Sequence, residues 1–438
     1  MREKVGMVAL GCAKNLVDSE NMLGMLRDRG YEIVSDPAEA EIIFVNTCGF
    51  IEPAKQESID AILEMAQFKQ SGRLKKLFVT GCLAQRYADA LMEEIPEIDG
   101  LMGVADYARL YDMMDEAMTG ARPMYLRDGD RFFKCGRMLT ERPFSAYIKI
   151  SDGCDNRCTY CAIPLIRGNY ISRPFDDIVE ECERLAGEGV SELTLIAQDT
   201  SRYGCDLGDG HYLLPELLRR VSEIEGVHWV RVLYCYPDST EDRLLDEIQN
   251  NPKVAPYLDL PLQHIDDELL KKMNRRGSAE WIRSRIAECK KRGITLRTTM
   301  IVGFPGEPDA QFETLLNFVK EARFDRLGAF AYSPEEGTKA AEMPDQIDEE
   351  IKEARLDTLM MLQQEISAEL LQARIGTECE VLVEGTDEDG LYGRSIYEAP
   401  ESDGCIRLIS DRELAPGEYV RVKIVSADAY DLTAEVIK

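Results

Sequence analysis

From Val5 to Ala331 the sequence alternates short apolar runs with longer amphipathic stretches, and no other feature limits the folds open to the chain so tightly. A short apolar run bounded by turn residues reads as a buried strand, and apolar residues at i, i+3 and i+4 read as one face of a helix. On that rule Val5 to Leu10, Glu41 to Asn46 and Lys76 to Thr80 are strands, and Asp18 to Gly30, Ala54 to Phe68 and Leu83 to Glu93 are helices. Such alternation yields a parallel sheet with helices on its faces. The pattern resumes with strands at Ala146 to Ser151, Glu192 to Ala197, Trp229 to Leu233, Tyr257 to Leu260, Thr295 to Val302 and Arg326 to Ala331. Six βα units are too few to close an eight-stranded barrel. After a long helical pattern, Asp348 to Arg374, the texture changes to short alternating segments, including Glu378 to Val383, Gly404 to Ile409, Tyr419 to Val425 and Asp431 to Ile437. About five strands in under seventy residues predict a small closed barrel, of a kind that often binds nucleic acid. The expected fold is therefore α/β, with domains at residues 1–125, 140–372 and 373–438.

Cysteine placement carries the chemistry. Cys154, Cys158 and Cys161 stand in Cys-Asp-Asn-Arg-Cys-Thr-Tyr-Cys, directly after a strand, and this C-x3-C-x2-C spacing gathers three thiolates on one loop. Thiolates are the usual ligands of iron–sulfur clusters, and three of them leave one iron of a four-iron cubane open. The alternatives are a zinc loop that borrows a fourth ligand, or three unrelated core cysteines. The chain has only three His, none in this segment, and zinc ligands come in spaced pairs. Cys12, Cys48 and Cys82 each fall just past the end of a strand, where open α/β sheets gather ligands. Their shared phase predicts a second three-thiolate site, against the alternative that a small, often buried residue merely recurs. Cys135, Cys182, Cys205, Cys235, Cys289, Cys379 and Cys405 share no such phase and are assigned to packing. With no secretion signal at Met1 to Gly11 and no apolar run of membrane-spanning length, thirteen cysteines favour metal and redox chemistry in a reducing cytoplasm over disulfides.

Strand ends in the middle of the chain carry polar or glycine-rich words: Gln198-Asp199-Thr200-Ser201, Leu262-Gln263-His264 and Gly303-Phe304-Pro305-Gly306-Glu307. Glycines there allow a ligand to approach the backbone closely; an ordinary turn before a helix is the alternative. His264 reads as a hydrogen-bonded structural histidine rather than a metal ligand.

The C-x3-C-x2-C loop resembles that of the radical S-adenosylmethionine (SAM) enzymes. The resemblance implies an open (β/α)6 partial barrel, with SAM filling the open iron and cleaved by electron transfer to a 5′-deoxyadenosyl radical. Leu10-Gly11-Cys12-Ala13-Lys14-Asn15 with Asp18-Ser19-Glu20, Asn46-Thr47-Cys48-Gly49-Phe50-Ile51 and Gly81-Cys82-Leu83-Ala84-Gln85-Arg86 further resemble the amino-terminal domain of the methylthiotransferases. What this implies is two 4Fe-4S clusters, one on Cys154, Cys158 and Cys161 and an auxiliary one on Cys12, Cys48 and Cys82 that carries the sulfur-bearing group. It also implies SAM contacts at Tyr160, Gln198, Gly303 and Gly306, although loop packing would equally place Tyr160, and Gln198-Asp199 stands where many radical-SAM enzymes have Gly-Gly-Glu. The resemblance assigns no catalytic residue beyond the cofactor ligands, and makes the terminal barrel a TRAM domain, a module that usually binds RNA.

Charge separates the branches of that family. The formal net charge is -29, and from Leu371 to Lys438 seven Lys and Arg face fifteen Asp and Glu. An acidic barrel is poorly suited to phosphates and better suited to a basic protein; the alternative is that it follows the charge of the whole chain. Tyr392-Gly393-Arg394-Ser395 with Glu398 to Gly404, Ala197-Gln198-Asp199-Thr200, and Ser333-Pro334-Glu335-Glu336-Gly337-Thr338 resemble the branch that modifies an aspartate β-carbon of small-subunit ribosomal protein number twelve. The expected partner is thus a basic ribosomal protein, with no membrane and no broad nucleic-acid binding; the sulfur and electron donors are not legible. The rival branch methylthiolates an isopentenyl- or threonylcarbamoyl-adenosine of tRNA.

Overall fold

The computed structural model describes residues 3–70, 72–126 and 131–437, which divide into two compact units. The first holds residues 1–141, 151–173 and 333–341, and the second holds 142–150, 174–332 and 342–438.

The first unit is built on a six-stranded, wholly parallel sheet of β1 (Lys4–Ala9), β2 (Glu32–Ile33), β3 (Ile42–Thr47), β4 (Lys76–Gly81), β5 (Gly100–Met102) and β6 (Met124–Tyr125). Its order is β2-β1-β3-β4-β5-β6, so the three strands legible in the sequence, β1, β3 and β4, are neighbours at its centre. The three others are only two or three residues long, too short for a periodicity to register. Helices α1 (Ala13–Asp28), α2 (Glu52–Gln67), α3 (Cys82–Glu94) and α4 (Leu110–Met118) cover the two faces. Every residue of β3 is buried, as a strand covered on both sides must be. Ile42 and Phe44 pack with Met22 and Leu26 of α1 and with Leu110 and Met113 of α4. Their neighbours Ile43 and Val45 point the other way, against Ile62 of α2 and Leu83 and Leu91 of α3. Residues 151–173 also belong here: Ser151–Asp152 pairs antiparallel with Ile171–Ser172 and closes a loop that contains the helix α5 (Ile163–Arg167).

In the second unit six strands form two parallel three-stranded sheets. One runs Trp229–Val232, Glu192–Ile196, Ser145–Lys149; the other runs Tyr257–Asp259, Thr295–Val302, Arg326–Ala331. An isolated parallel bridge joins Val230 to Val254, just ahead of the strand Tyr257–Asp259. Helices including Phe175–Gly187, Ala279–Lys291 and Asp309–Ala322 follow the strands, so the unit is an open (β/α)6 barrel. After the helix Glu349–Gln372 the chain forms a closed five-stranded barrel. Its strand Gly390–Ser395, masked in the sequence by two glycines, supplies the fifth strand, and Ile406–Ile409 pairs parallel with Leu432–Val436 while the other pairings are antiparallel. A buried ionic network welds the small barrel to the open one. Arg394 forms a bidentate pair with Glu192, Arg326 and Arg374 both reach Glu398, and the Tyr257 hydroxyl donates to Asp403 at 2.7 Å.

Candidate metal centre

The centre is assembled in the first unit from the carboxyl ends of β1, β3 and β4. Cys12 immediately precedes α1, Cys48 follows β3, and Cys82 opens α3 directly after β4. Adjacent strands lie about 4.8 Å apart, so three thiols at equivalent positions of three neighbours converge. A Cβ placed on Gly11 would stand 3.2 Å from Cys48 Sγ, which measures how closely the loops after β1 and β3 meet. Gly81, with φ +97°, turns β4 into α3; a Cβ there would lie 2.4 Å from Asn46 Oδ1 and 2.5 Å from Thr47 O. Only glycine fits that backbone and that approach.

Asn15, on the first turn of α1, ties the three strand ends together. Its Nδ2 donates to Leu10 O at 2.9 Å and to Thr47 O at 3.0 Å. Its Oδ1 accepts from Cys82 Sγ at 3.5 Å and from Arg167 Nη2 at 2.8 Å. Asn46 braces the arrangement from β3, donating to Asn15 O at 2.9 Å and to Ser19 Oγ at 2.8 Å. The loop after Cys48 is held from the other side. Arg86 Nη1 donates to Gly49 O at 2.8 Å, while buried Glu335 accepts from Glu52 N at 3.1 Å and pairs with Lys55 at 3.2 Å. Residues 333–336, singled out in the sequence only by resemblance, thus act here as a clip on the Cys48 loop.

The surroundings grade the three thiols. Cys82 is buried, and desolvation pushes its thiol up to about 12 despite Arg167. Burial likewise raises Cys48, with the Phe50 N–H opposing. Cys12 is the exposed member; desolvation of its sulfur opposes the shift, yet the charges of Lys14 and Arg167 hold it below the ordinary thiol range. Cys154, Cys158 and Cys161, all half-buried, occupy the closed loop of the same unit. That loop turns through Gly153 and Arg157, both at positive φ, with Cys161 N bonded to Cys158 O at 3.0 Å and Cys154 N to Gly168 O at 3.1 Å. Ala162 and Ile166, just after the loop, pack against Cys82.

Among the described residues no three His, Cys, Asp or Glu side chains stand at the spacing that holds a single metal ion. A cubane takes its cysteine sulfurs on separate irons, a different demand from three ligands on one ion. The other candidates are spread over three segments of the chain. Tyr160 is half-buried beside Cys161. In the second unit, Gln198 follows Glu192–Ile196 and its Oε1 is buried with no hydrogen-bond partner among the described residues. Gly303 N donates to Glu307 Oε2 at 2.6 Å, and a Cβ on Gly303 would meet Lys352 Cγ at 2.3 Å, so helix packing alone demands this glycine. Gly306 lies beside Lys272, whose Nζ would be 3.2 Å from a Cβ there. His264 is fully buried between Glu307 Oε1 at 3.1 Å and Asp266 N at 3.0 Å, the structural role its sequence context predicts. Sequence reasoning missed Asn15, Asn46 and Arg167. The available signal was the spacing Cys12, Asn15, Asp18, which puts polar side chains on the buried face of α1 behind a cysteine.

Residues 4–103 match the uncharacterized protein family UPF0004, residues 148–319 the Radical SAM superfamily and residues 375–437 the TRAM domain. The ribosomal protein uS12 methylthiotransferase RimO of Clostridium kluyveri is 48% identical over 99% of this chain and 98% of its own length. The protein of the same description from Caldicellulosiruptor saccharolyticus is 47% identical over 99% of this chain and 100% of its own. Among solved structures, the radical SAM methyltransferase TsrM of Kitasatospora setae with tryptophan substrate and a SAM analogue bound superposes with a TM-score of 0.57 at 16% identity, covering 75% of this chain and 73% of that one. The cobalamin-dependent SAM radical enzyme OxsB, with aqua-cobalamin and SAM bound, gives 0.53 at 12% identity over 83% and 56%. At such identities these two likenesses concern the fold alone.

Proposed function

The chain belongs to the RimO family of ribosomal protein uS12 methylthiotransferases, and from that membership we propose that it transfers a methylthio group to the β-carbon of an aspartate in uS12, in the cytoplasm. We assign one 4Fe-4S cluster to Cys154, Cys158 and Cys161 and an auxiliary cluster to Cys12, Cys48 and Cys82. Tyr160, Gln198, Gly303 and Gly306 are assigned to SAM. The observation that carries this reading is that Asn15 holds together the three adjacent strand ends that bear Cys12, Cys48 and Cys82, in the same unit as a second three-thiol loop. Bound there, the clusters and SAM supply the one-electron and sulfur-transfer chemistry that no side-chain acid or base provides.

The protein's own contribution is positioning. Asn15 and Asn46 fix the spacing of the strand ends from which Cys12, Cys48 and Cys82 project. The hairpin and Arg157 set the turn of the second loop. Gln198 offers SAM an amide oxygen that no described protein group uses, while Gly303, with its N–H already committed to Glu307, offers only its carbonyl side. The acidic terminal barrel suits the basic ribosomal protein.

The test is anaerobic: reconstituted protein with SAM, reductant and sulfide is offered uS12 and unmodified tRNA separately, followed by mass spectrometry of both. A methylthio adduct on an aspartate of uS12 alone is the expected result. An adduct on a tRNA adenosine alone overturns the substrate assignment and leaves the cluster assignment standing.

A further inference from the structure

Arg167 is the last residue of α5, six positions after Cys161, yet its guanidinium is directed to the other triplet of cysteines. The side chain is 1% exposed. Its Nη1 donates to both carboxylate oxygens of Asp152, at 3.2 and 3.1 Å. Its Nη2 donates to Asp18 Oδ2 at 2.9 Å and Asn15 Oδ1 at 2.8 Å, and lies 3.9 Å from Cys82 Sγ. Asp152 stands two residues before Cys154, and Asp18 and Asn15 lie on α1 behind Cys12. One side chain therefore joins the segment that carries one thiol triplet to the elements that carry the other.

Burying a guanidinium costs several kcal/mol, and a carboxylate repays that only when further hydrogen bonds satisfy the rest of the fork. Here two carboxylates and an amide grip the group from both ends of its fork and leave it oriented at a sulfur. Hydrogen bonds to ligand sulfurs and the net charge around a cluster set its reduction potential. A fixed cation at hydrogen-bonding range of a ligand sulfur favours the reduced, more negative form.

Resting on the auxiliary-cluster assignment above, we propose that Arg167 is a positioning residue whose fixed charge beside Cys82 sets the reduction potential of the auxiliary cluster from the segment that carries the other one. A merely structural ion pair would change folding and iron content but leave the potential of a loaded cluster where it was.

The experiment uses the full chain with Cys154, Cys158 and Cys161 changed to Ala, so that only the auxiliary cluster loads, and reads iron and sulfide content together with an EPR-monitored redox titration. Arg167→Gln should keep the iron and make one-electron reduction at least tenfold less favourable, a shift of about 59 mV to more negative potential. Arg167→Lys, which keeps the charge, should recover most of that shift. A loaded Arg167→Gln protein with the parent potential overturns the inference. If Arg167→Gln fails to load, Asp18→Asn decides: removing the opposing negative charge should move the potential positive, and an unmoved potential overturns the inference. A parent that binds no iron overturns the auxiliary-cluster assignment itself and the role of Arg167 with it, an outcome distinct from a loaded cluster that ignores Arg167.

Discussion

Asn15 shows how a single uncharged side chain organises three strand ends. Its amide satisfies the carbonyls of Leu10 and Thr47 while its oxygen faces Cys82 and Arg167. Asn15→Ala leaves buried carbonyls without donors, which should cost about 2–4 kcal/mol, read as a lower urea midpoint of the metal-free protein. The cysteines themselves give the sharpest residue-scale expectation. Cys158→Ala should abolish reductive cleavage of SAM to 5′-deoxyadenosine, whereas Cys48→Ala should keep part of that cleavage and end methylthio transfer. Both are read by chromatography of the SAM products beside mass spectrometry of uS12, and full transfer by Cys48→Ala would falsify the auxiliary-cluster assignment. The strand-end placement of Cys12, Cys48 and Cys82 and the spacing of Cys154, Cys158 and Cys161 were legible because each is read from a cysteine and its immediate neighbours. Asn15 and Arg167 were not, since a buried polar residue carries no mark of the partner it will meet.

Among the elements, the turn from β4 into α3 is the most constrained. Gly81 takes φ +97° and ψ -157° where a Cβ would strike Asn46 and Thr47. Gly81→Ala should destabilise the first unit by at least about 2 kcal/mol and displace Cys82, so that thermal midpoint and iron content fall together. In the second unit the strand Glu192–Ile196 begins on a fully buried carboxylate. Desolvation would raise Glu192, but the Arg394 pair outweighs it, with Arg231 and the Ser145 hydroxyl assisting, and holds the carboxyl at about 2 instead of 4.5. Because the folded value lies below the unfolded one, this stabilisation is complete above about pH 4.5 and is lost as pH falls through about 2. Arg394, shared with Glu384, is the partner to remove. Arg394→Met should cost about 3–5 kcal/mol near neutrality, and the gap in urea midpoint from the parent should narrow between about pH 4.5 and 2. Long strands and amphipathic helices were readable from periodicity, whereas β2, β5 and β6 span too few residues and Gly390–Ser395 hides behind its glycines.

For the whole molecule, a net charge of -29 governs encounters. Complementary charge steers association, and salt screens it over a Debye length of about 10 Å at 0.1 M. Association with uS12 should therefore slow by about tenfold or more between about 0.05 and 0.5 M salt, while dissociation changes little, as measured by stopped-flow or surface plasmon resonance. No helix among the described residues is long and apolar enough to cross a membrane, as the apolar runs of the sequence predict. The sequence by itself determined the α/β class, the small terminal barrel, the phase of Cys12, Cys48 and Cys82 and the sign of the charge, because each is read from local patterns taken one segment at a time or from composition alone. Only the tertiary structure decided that Arg167 meets Asp18 across 149 positions, that Glu335 clips the Cys48 loop and that Arg394 closes on Glu192 across 202. Those pairings follow the path of the chain, and a path set by the burial of two opposed apolar sheet faces leaves no periodic trace at the polar residues it brings together.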